Sequence, residues 1–377
     1  MTVHRGKIHE FLGMKLDFSK PGSVILTMDE YVDGVIAETP AEILKGNPMS
    51  SAAEHLFDVN DECEKLEEDD AELFHHLVAK LLHLCKRARP DIQLPVSFLT
   101  TRVQNPDRDD YKKLGRCISY LRANPRLPLT LSAENMNVIY WWIDASFAVH
   151  PNCRSHTGVA MSFGGGSPIN MSLKQKLNTR SSTEAEVVGV NDGLTTALWV
   201  RLFLEAQGIE VKDNVIFQDN MSSILLEKNG KRSSGRNTRH MEIRYFFITD
   251  NISRKRVRVE YCPTKLMWAD FFTKPLQGSQ FRLLRALIMN LPMTPELAHL
   301  MKQSNPKAIR AANYLQSVPL QECVEAGGPV LQDPSQPAEE SREPIKDRTY
   351  ADVAALPRQP GGAGIRQSKL TSLVKSS

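Results

Sequence analysis

Four acidic residues fall in four separate segments of the chain: Asp144 in WWIDAS, Glu186 in SSTEAEVV, Asp219 in VIFQDN and Asp270 in MWADFF. Asp270 stands in an apolar setting, where a charge without a partner is costly to bury. A set of carboxylates drawn together from such positions suits magnesium, which takes oxygen ligands and completes its octahedral shell with water and substrate phosphate. Two such ions, about 3.5–4 Å apart, grip one phosphodiester and activate a water beside it. Together the four acids point to magnesium-dependent cleavage of nucleic acid. Any one of them alone carries no such meaning.

The elements that must position them are legible in outline. Asp144 closes the apolar, aromatic strand VIYWWIDAS, and Asp219 closes VIFQ ahead of a helix, the place where open α/β sheets bind ligands. Two such acids on adjacent strands would be neighbours; as a single residue, Asp144 also fits a strand-end cap. TGVAMSF, a glycine turn at 164–166 and INMSLKQK add two strands, so three antiparallel strands are expected. Ser181 to about Gln207 reads as one long helix, opened by overlapping capping boxes Ser181-x-x-Glu184 and Thr183-x-x-Glu186. Residues two apart on a helix point about 200° from each other, so only one of these glutamates faces the sheet edge. Glu186 shares an inward stripe with Val190 and Leu194, whereas Glu184 sits in the first turn, where an acid favours the helix dipole. Glu186 is therefore preferred, with a capping role as its alternative. A helix at 220–229, a helix from about 239 to 252, the strand VRVEYC and a helix around 267–273 follow. Asp270, in that last segment, needs a cation or an exposed rim.

Upstream, FLGMKLDF reads as a strand, KPGS as a turn and SVILTM as a second strand, with a helix beginning at Asp29. Phe74, Leu77, Val78, Leu81, Leu82 and Cys85 recur at helical spacing and should form a buried face. A further helix is expected from Arg108 to Leu121, ended by the prolines of AsnProArgLeuPro. Beyond about residue 318 the composition turns to Pro, Gly, Ser, Gln and charge, which predicts disorder.

A net charge of +3 decides nothing about partners, so any nucleic-acid signal must be local. Between Lys228 and Arg258 there are ten Lys or Arg against two acids, interleaved with Tyr245, Phe246 and Phe247. Such a run is usually a solvated face; lying between two candidate ligands, it also suits phosphate tracking by Lys231, Arg232, Arg236, Arg239 and Arg244. His240 fits a contact to phosphate, a part in product release, or a structural place at a helix start. The six cysteines show no CxxC pair and read as reduced thiols. His75, His76, His83 and Cys85 raise a zinc question, but they fall within an apolar helical pattern rather than in paired ligand spacing. No run of about 18 apolar residues is present and the start lacks a signal-peptide core, so an intracellular location, in cytoplasm or nucleus, and no membrane partner are expected.

Residues 137 to about 276 resemble the ribonuclease H domain of copia-type LTR-retrotransposon polyproteins, through WIDAS, SSTEAE, the QDN strand end, NTRHMEIRYFFITD and VEYCPTKLMWADFFTKPL. Residues 8 to about 131 resemble the part of the reverse transcriptase that follows the polymerase centre, through HEFLGMKLDF, FHHLVAKLLHLCKRARPDIQLPVSFLTTRVQNP and YKKLGRCISYLRANP. The resemblance covers about three quarters of the chain. It implies an α/β architecture: a ribonuclease H-like five-stranded mixed sheet with flanking helices at 137–276, after a smaller α+β reverse-transcriptase remnant at 1–131. A helical extension would follow at 277–317 and a disordered tail at 318–377. It also implies that Asp144, Glu186, Asp219 and Asp270 take the places of the metal-binding acids, with two Mg2+, or Mn2+, as cofactor. The implied partners are an RNA/DNA hybrid and the rest of a retroelement reverse transcriptase. The family has a second acid and a Trp two and three residues after the first Asp, where this chain has Ser146 and Phe147; Val187 stands where a Tyr commonly follows the Glu. Neither change removes a ligand.

The family's polymerase centre, Tyr-x-Asp-Asp, has only an imitation in TyrValAspGly at 31–34, so no DNA synthesis is expected. Two other readings remain: a retroelement fragment that binds nucleic acid without cutting it, and another nuclease or integrase of the same broad fold. The second commonly uses three acids at other spacings, and SSTEAE and ADFFTKPL do not fit it.

Overall fold

The chain folds around two five-stranded sheets with helices packed on them. This is seen in a computed structural model that describes residues 5–230 and 242–303, all within one unit of the chain, residues 1–319. The first sheet is antiparallel, in the order β1 (Ile8–Phe11), β2 (Met14–Asp17), β3 (Ser23–Thr27), β4 (Leu129–Ala133) and β7 (Gly164–Gly165). FLGMKLDF, expected as one strand, is two. Leu12 and Gly13 take positive φ of 53° and 78° and turn the chain back on itself, a two-residue turn whose twist matches that of the flanking strands.

The second sheet is mixed. Its centre is β5 (Val138–Ser146), with β6 (His156–Ser162) antiparallel on one side and β9 (Asp213–Gln218) parallel on the other. β8 (Ile169–Lys174) extends it antiparallel beyond β6, and β10 (Arg258–Tyr261) parallel beyond β9, giving the order β10-β9-β5-β6-β8. β5 is buried on both faces, which is why it reads as an almost unbroken apolar run. Its period of two sends Ile139, Trp141 and Ile143 into one core and Trp142 into another.

On the first of these faces lies α5 (Ser182–Ala206), with Val187, Val190, Leu194 and Ala197 buried. Each such side chain contributes roughly 1.5–3 kcal/mol if large and fully buried. Gly193 lets the helix sit close, since a Cβ there would come within 2.6 Å of the Ile143 side chain. α6 (Met221–Asn229) and α7 (Glu242–Ser253) pack beside it. α5 has the length and apolar composition of a membrane-crossing helix, but half of its apolar window is buried inside the protein.

The other core joins α1 (Asp29–Glu38), α2 (Glu68–Cys85), α3 (Gln93–Thr100), α4 (Arg108–Ala123) and α8 (Gly278–Met289) to Trp142, Ala160 and residues 262–272. One core thus runs across the 131–137 segment. The buried stripe of α2 includes Leu84, while Leu82, expected inside, is exposed. α9 (Pro295–Gln303) follows α8 within the segment expected to be helical. The expected disordered tail, residues 318–377, lies outside the described residues.

The expected helix at 267–273 is instead a 3-10 turn, Trp268–Phe272. It lies flat on the second sheet, its Trp268 ring stacked on Trp142 at 4.2 Å between centroids. Gly158 of β6 makes this possible: a Cβ there would come within 2.6 Å of the Ala269 carbonyl oxygen and of the Thr273 methyl.

Candidate active site

β5, β9 and α5 bring three of the four acids to one place. Single oxygens of Asp144, Glu186 and Asp219 all lie within 4.8 Å of one another. Asp144 is near the end of β5 and Asp219 just beyond β9, so their neighbouring strands make them neighbours. Glu186 reaches them from the start of α5. Glu184 serves the helix end instead: its carboxylate accepts from the Arg180 N–H at 2.8 Å, while its own N–H donates to Ser181 Oγ at 3.2 Å. That matches the expected preference for Glu186 over Glu184, with Ser181 as the N-cap of α5.

The fourth acid, Asp270, sits beside Asp144 on the 3-10 turn and is joined to it through a cation. Lys274 Nζ lies 2.7 Å from Asp270 Oδ1 and 3.5 Å from Asp144 Oδ2. The Thr273 hydroxyl donates to the same Asp144 Oδ2, and Ser146 Oγ donates to the Thr273 carbonyl at 3.1 Å. Asp219 accepts from the Thr264 hydroxyl at 2.9 Å. Asp144, Glu186 and Asp270 are buried; Asp219 is half-buried and opens the cluster to solvent.

Burial and mutual repulsion set the electrostatics. Glu186 is pushed well above the ordinary carboxylate range by burial, then by the charges of Asp144 and Asp219. Asp270 is pushed up to about 8 by burial and by Asp144, against the pull of Lys274. Burial works against the charge of Lys274, but Asp144 and Asp270 outweigh it and raise its pKa. Crowded carboxylates that resist ionisation are poised to give up protons to a divalent cation. The donor set, all hard oxygen and open on the Asp219 side, fits such an ion.

Lys274, Thr273, Thr264 and Gly158 were not singled out by sequence reasoning. Lys274 carried a signal, standing four residues after Asp270. Gly158 is visible only through the strand register that places it opposite Asp144.

Of the expected nucleic-acid contacts, Lys231, Arg232, Arg236 and Arg239, with His240, lie outside the described residues. Arg244 is half-buried on α7, where its charge acts on Asp192. His76 pairs with Glu38 at 3.1 Å, and His83 stacks on Tyr31 at 5.1 Å. Cys85 is buried, its thiol pushed up to about 12 by burial. Asp33, of the 31–34 segment, is on α1 and paired with Arg126 at 2.7 Å.

No family model matches the chain. It is 25% identical to a retrovirus-related Pol polyprotein from transposon TNT 1-94 of Nicotiana tabacum, over 75% of this chain and 22% of that protein. To the Pol polyprotein from transposon RE1 of Arabidopsis thaliana it is 30% identical, over 52% of this chain and 13% of the relative. A putative transposon Ty5-1 protein of Saccharomyces cerevisiae is 24% identical over 50% of this chain and 60% of its own length. The chain therefore spans less than a quarter of the two Pol polyproteins' length, 22% and 13%. On these matches, the chain is homologous to copia-type retrotransposon Pol polyproteins.

Proposed function

We propose that this chain is a ribonuclease H that hydrolyses the RNA strand of RNA/DNA hybrids with two magnesium ions. The observation that carries the reading is the convergence of Asp144, Glu186 and Asp219 within 4.8 Å, with Asp270 beside Asp144. The strand order supports it: three antiparallel strands, β5, β6 and β8, continued by two parallel ones, β9 and β10, form the five-stranded mixed sheet expected of such a domain.

Divalent ions, when bound, supply Lewis acidity at the phosphate and a water made nucleophilic near neutral pH. The residues do the rest. Asp144 and Asp219 would hold the ions from adjacent strand ends. Glu186 would bind one ion near the ribose 2′-hydroxyl, the group that distinguishes RNA from DNA. Asp270 completes the charge. Trp142, stacked on Trp268, holds the 3-10 turn that carries Asp270 against the sheet. Polymerase activity is not part of the proposal, since Asp33 is followed by Gly34 and engaged by Arg126.

Cleavage of a labelled hybrid by wild type and by Asp144→Asn tests it. Wild type should cut with Mg2+, and the variant should lose at least about a hundredfold. Binding of the hybrid without cleavage would favour a nucleic-acid-binding fragment instead.

A further inference from the structure

We propose that Lys274 is the protein's own counter-cation in the acid cluster. Its ammonium competes for the Asp144–Asp270 side, so the chain takes one divalent ion readily and a second only as Lys274 withdraws. The inference rests on the metal-dependent reading above and concerns how that site fills.

The geometry divides the cluster into two sides that share Asp144. On one side are Glu186 and Asp219, within 4.8 Å of Asp144 and of each other. On the other is Asp270, with Lys274 Nζ at 2.7 Å from it and 3.5 Å from Asp144. Among the described residues Lys274 is the ammonium paired with these acids. A magnesium ion bonded to Asp270 would sit about 2 Å from a carboxylate oxygen. An ammonium in hydrogen bond to that carboxylate and to Asp144 covers the same approach, and the two cations repel.

Withdrawal is mechanically available. The Lys274 backbone N–H donates to the Asp270 carbonyl at 2.9 Å, which anchors the residue on the turn. Its side chain is 38% exposed, so the flexible stem has solvent to swing into. Lys274 is thus a positioning residue: it fixes Asp270 and Asp144 against their mutual repulsion, and it sets the concentration at which the second ion enters.

Mn2+ titrations of the full chain, read by electron paramagnetic resonance and equilibrium dialysis, test this without an activity assay. Wild type should show one tighter and one weaker ion. Lys274→Met should tighten the weaker ion roughly tenfold and change the tighter one little; Lys274→Arg, which keeps the charge, should preserve the wild-type separation. A melting curve in chelator and in Mn2+ accompanies each variant. Lys274→Met should melt lower than wild type in chelator and recover with Mn2+; if Lys274→Met does not fold, Lys274→Gln, which also removes the charge, should show the same tightening of the weaker ion. Equal affinities for both ions in wild type, or a weaker ion unchanged or weakened in Lys274→Met, overturn the inference alone. A wild type that takes up no Mn2+ overturns it together with the reading beneath it.

Discussion

The two most perturbed carboxyls of the site, Glu186 and Asp270, tie its chemistry to its stability. Burial and neighbouring acids raise both, Asp270 to about 8. The folded chain therefore binds protons at a pH where the unfolded chain has released them. Stability then falls as pH rises from the ordinary carboxylate range through about 8, the opposite of the usual acid with a cationic partner. Without divalent ions the melting temperature should be lower at about pH 8 than at about pH 6, and Mg2+ should raise it more at the higher pH, because only the folded site binds the ion. Scanning calorimetry in chelator and in Mg2+ checks this; a metal response equal at both values would count against it. The acids themselves were legible in the sequence, because charge set in apolar runs such as VIYWWIDAS and MWADFF is costly unless it is used. Thr273 was not, and Lys274 only by its spacing four residues from Asp270, since the value of both comes from reaching back to Asp144, far away in sequence.

At the scale of elements, the site depends on a 3-10 turn laid flat on a sheet. Gly158 permits that contact, and the Trp142–Trp268 stack holds it. A methyl at Gly158 would meet the Ala269 backbone oxygen at 2.6 Å, so the turn must lift and carry Asp270 and Thr273 away from Asp144. Gly158→Ala should cost about 1–3 kcal/mol in urea unfolding and reduce hybrid cleavage by roughly a hundredfold, as a displacement of about 1 Å does. Gly189→Ala is the control, since its nearest contact would be an ordinary 3.5 Å. Equal effects in both would show that Gly158 has no special place. Periodicity foretold α5 and the strands of the second sheet because an element buried on one or both faces writes that burial into its sequence. It missed the break at Leu12-Gly13, a turn without the usual Asn-Gly signature, and took the 268–272 turn for a helix because its apolar residues fit either form.

Over the whole molecule, a single core runs from the N-terminal helices to the turn that carries Asp270. Its polar centre is the fully buried pair Arg89–Asp91 at 2.7 Å. Tyr120 donates to Asp91 at 2.7 Å and accepts from Arg285 of α8 at 2.9 Å. Burial alone would raise Asp91, but the Arg89 guanidinium beside it keeps its carboxyl below the usual range. Asp91→Ala leaves Arg89 buried without its charge partner and should lower unfolding free energy by about 3–5 kcal/mol in urea titration; a loss under about 1 kcal/mol would mean that the network does not bind the two parts together. None of this was legible in the sequence. Helical spacing tells which face of α2 or α4 is buried, not what it meets, and Arg89, Asp91 and Arg285 look like surface charges until the fold encloses them. The central claim, that this fold assembles a metal-dependent nuclease, is tested most directly by strand-specific cleavage of a labelled RNA/DNA hybrid. Wild type should cut the RNA strand alone in Mg2+ and cut nothing in chelator, and Asp144→Asn should be nearly inert. Equal cutting by wild type and Asp144→Asn, or no cutting by wild type, would contradict the account.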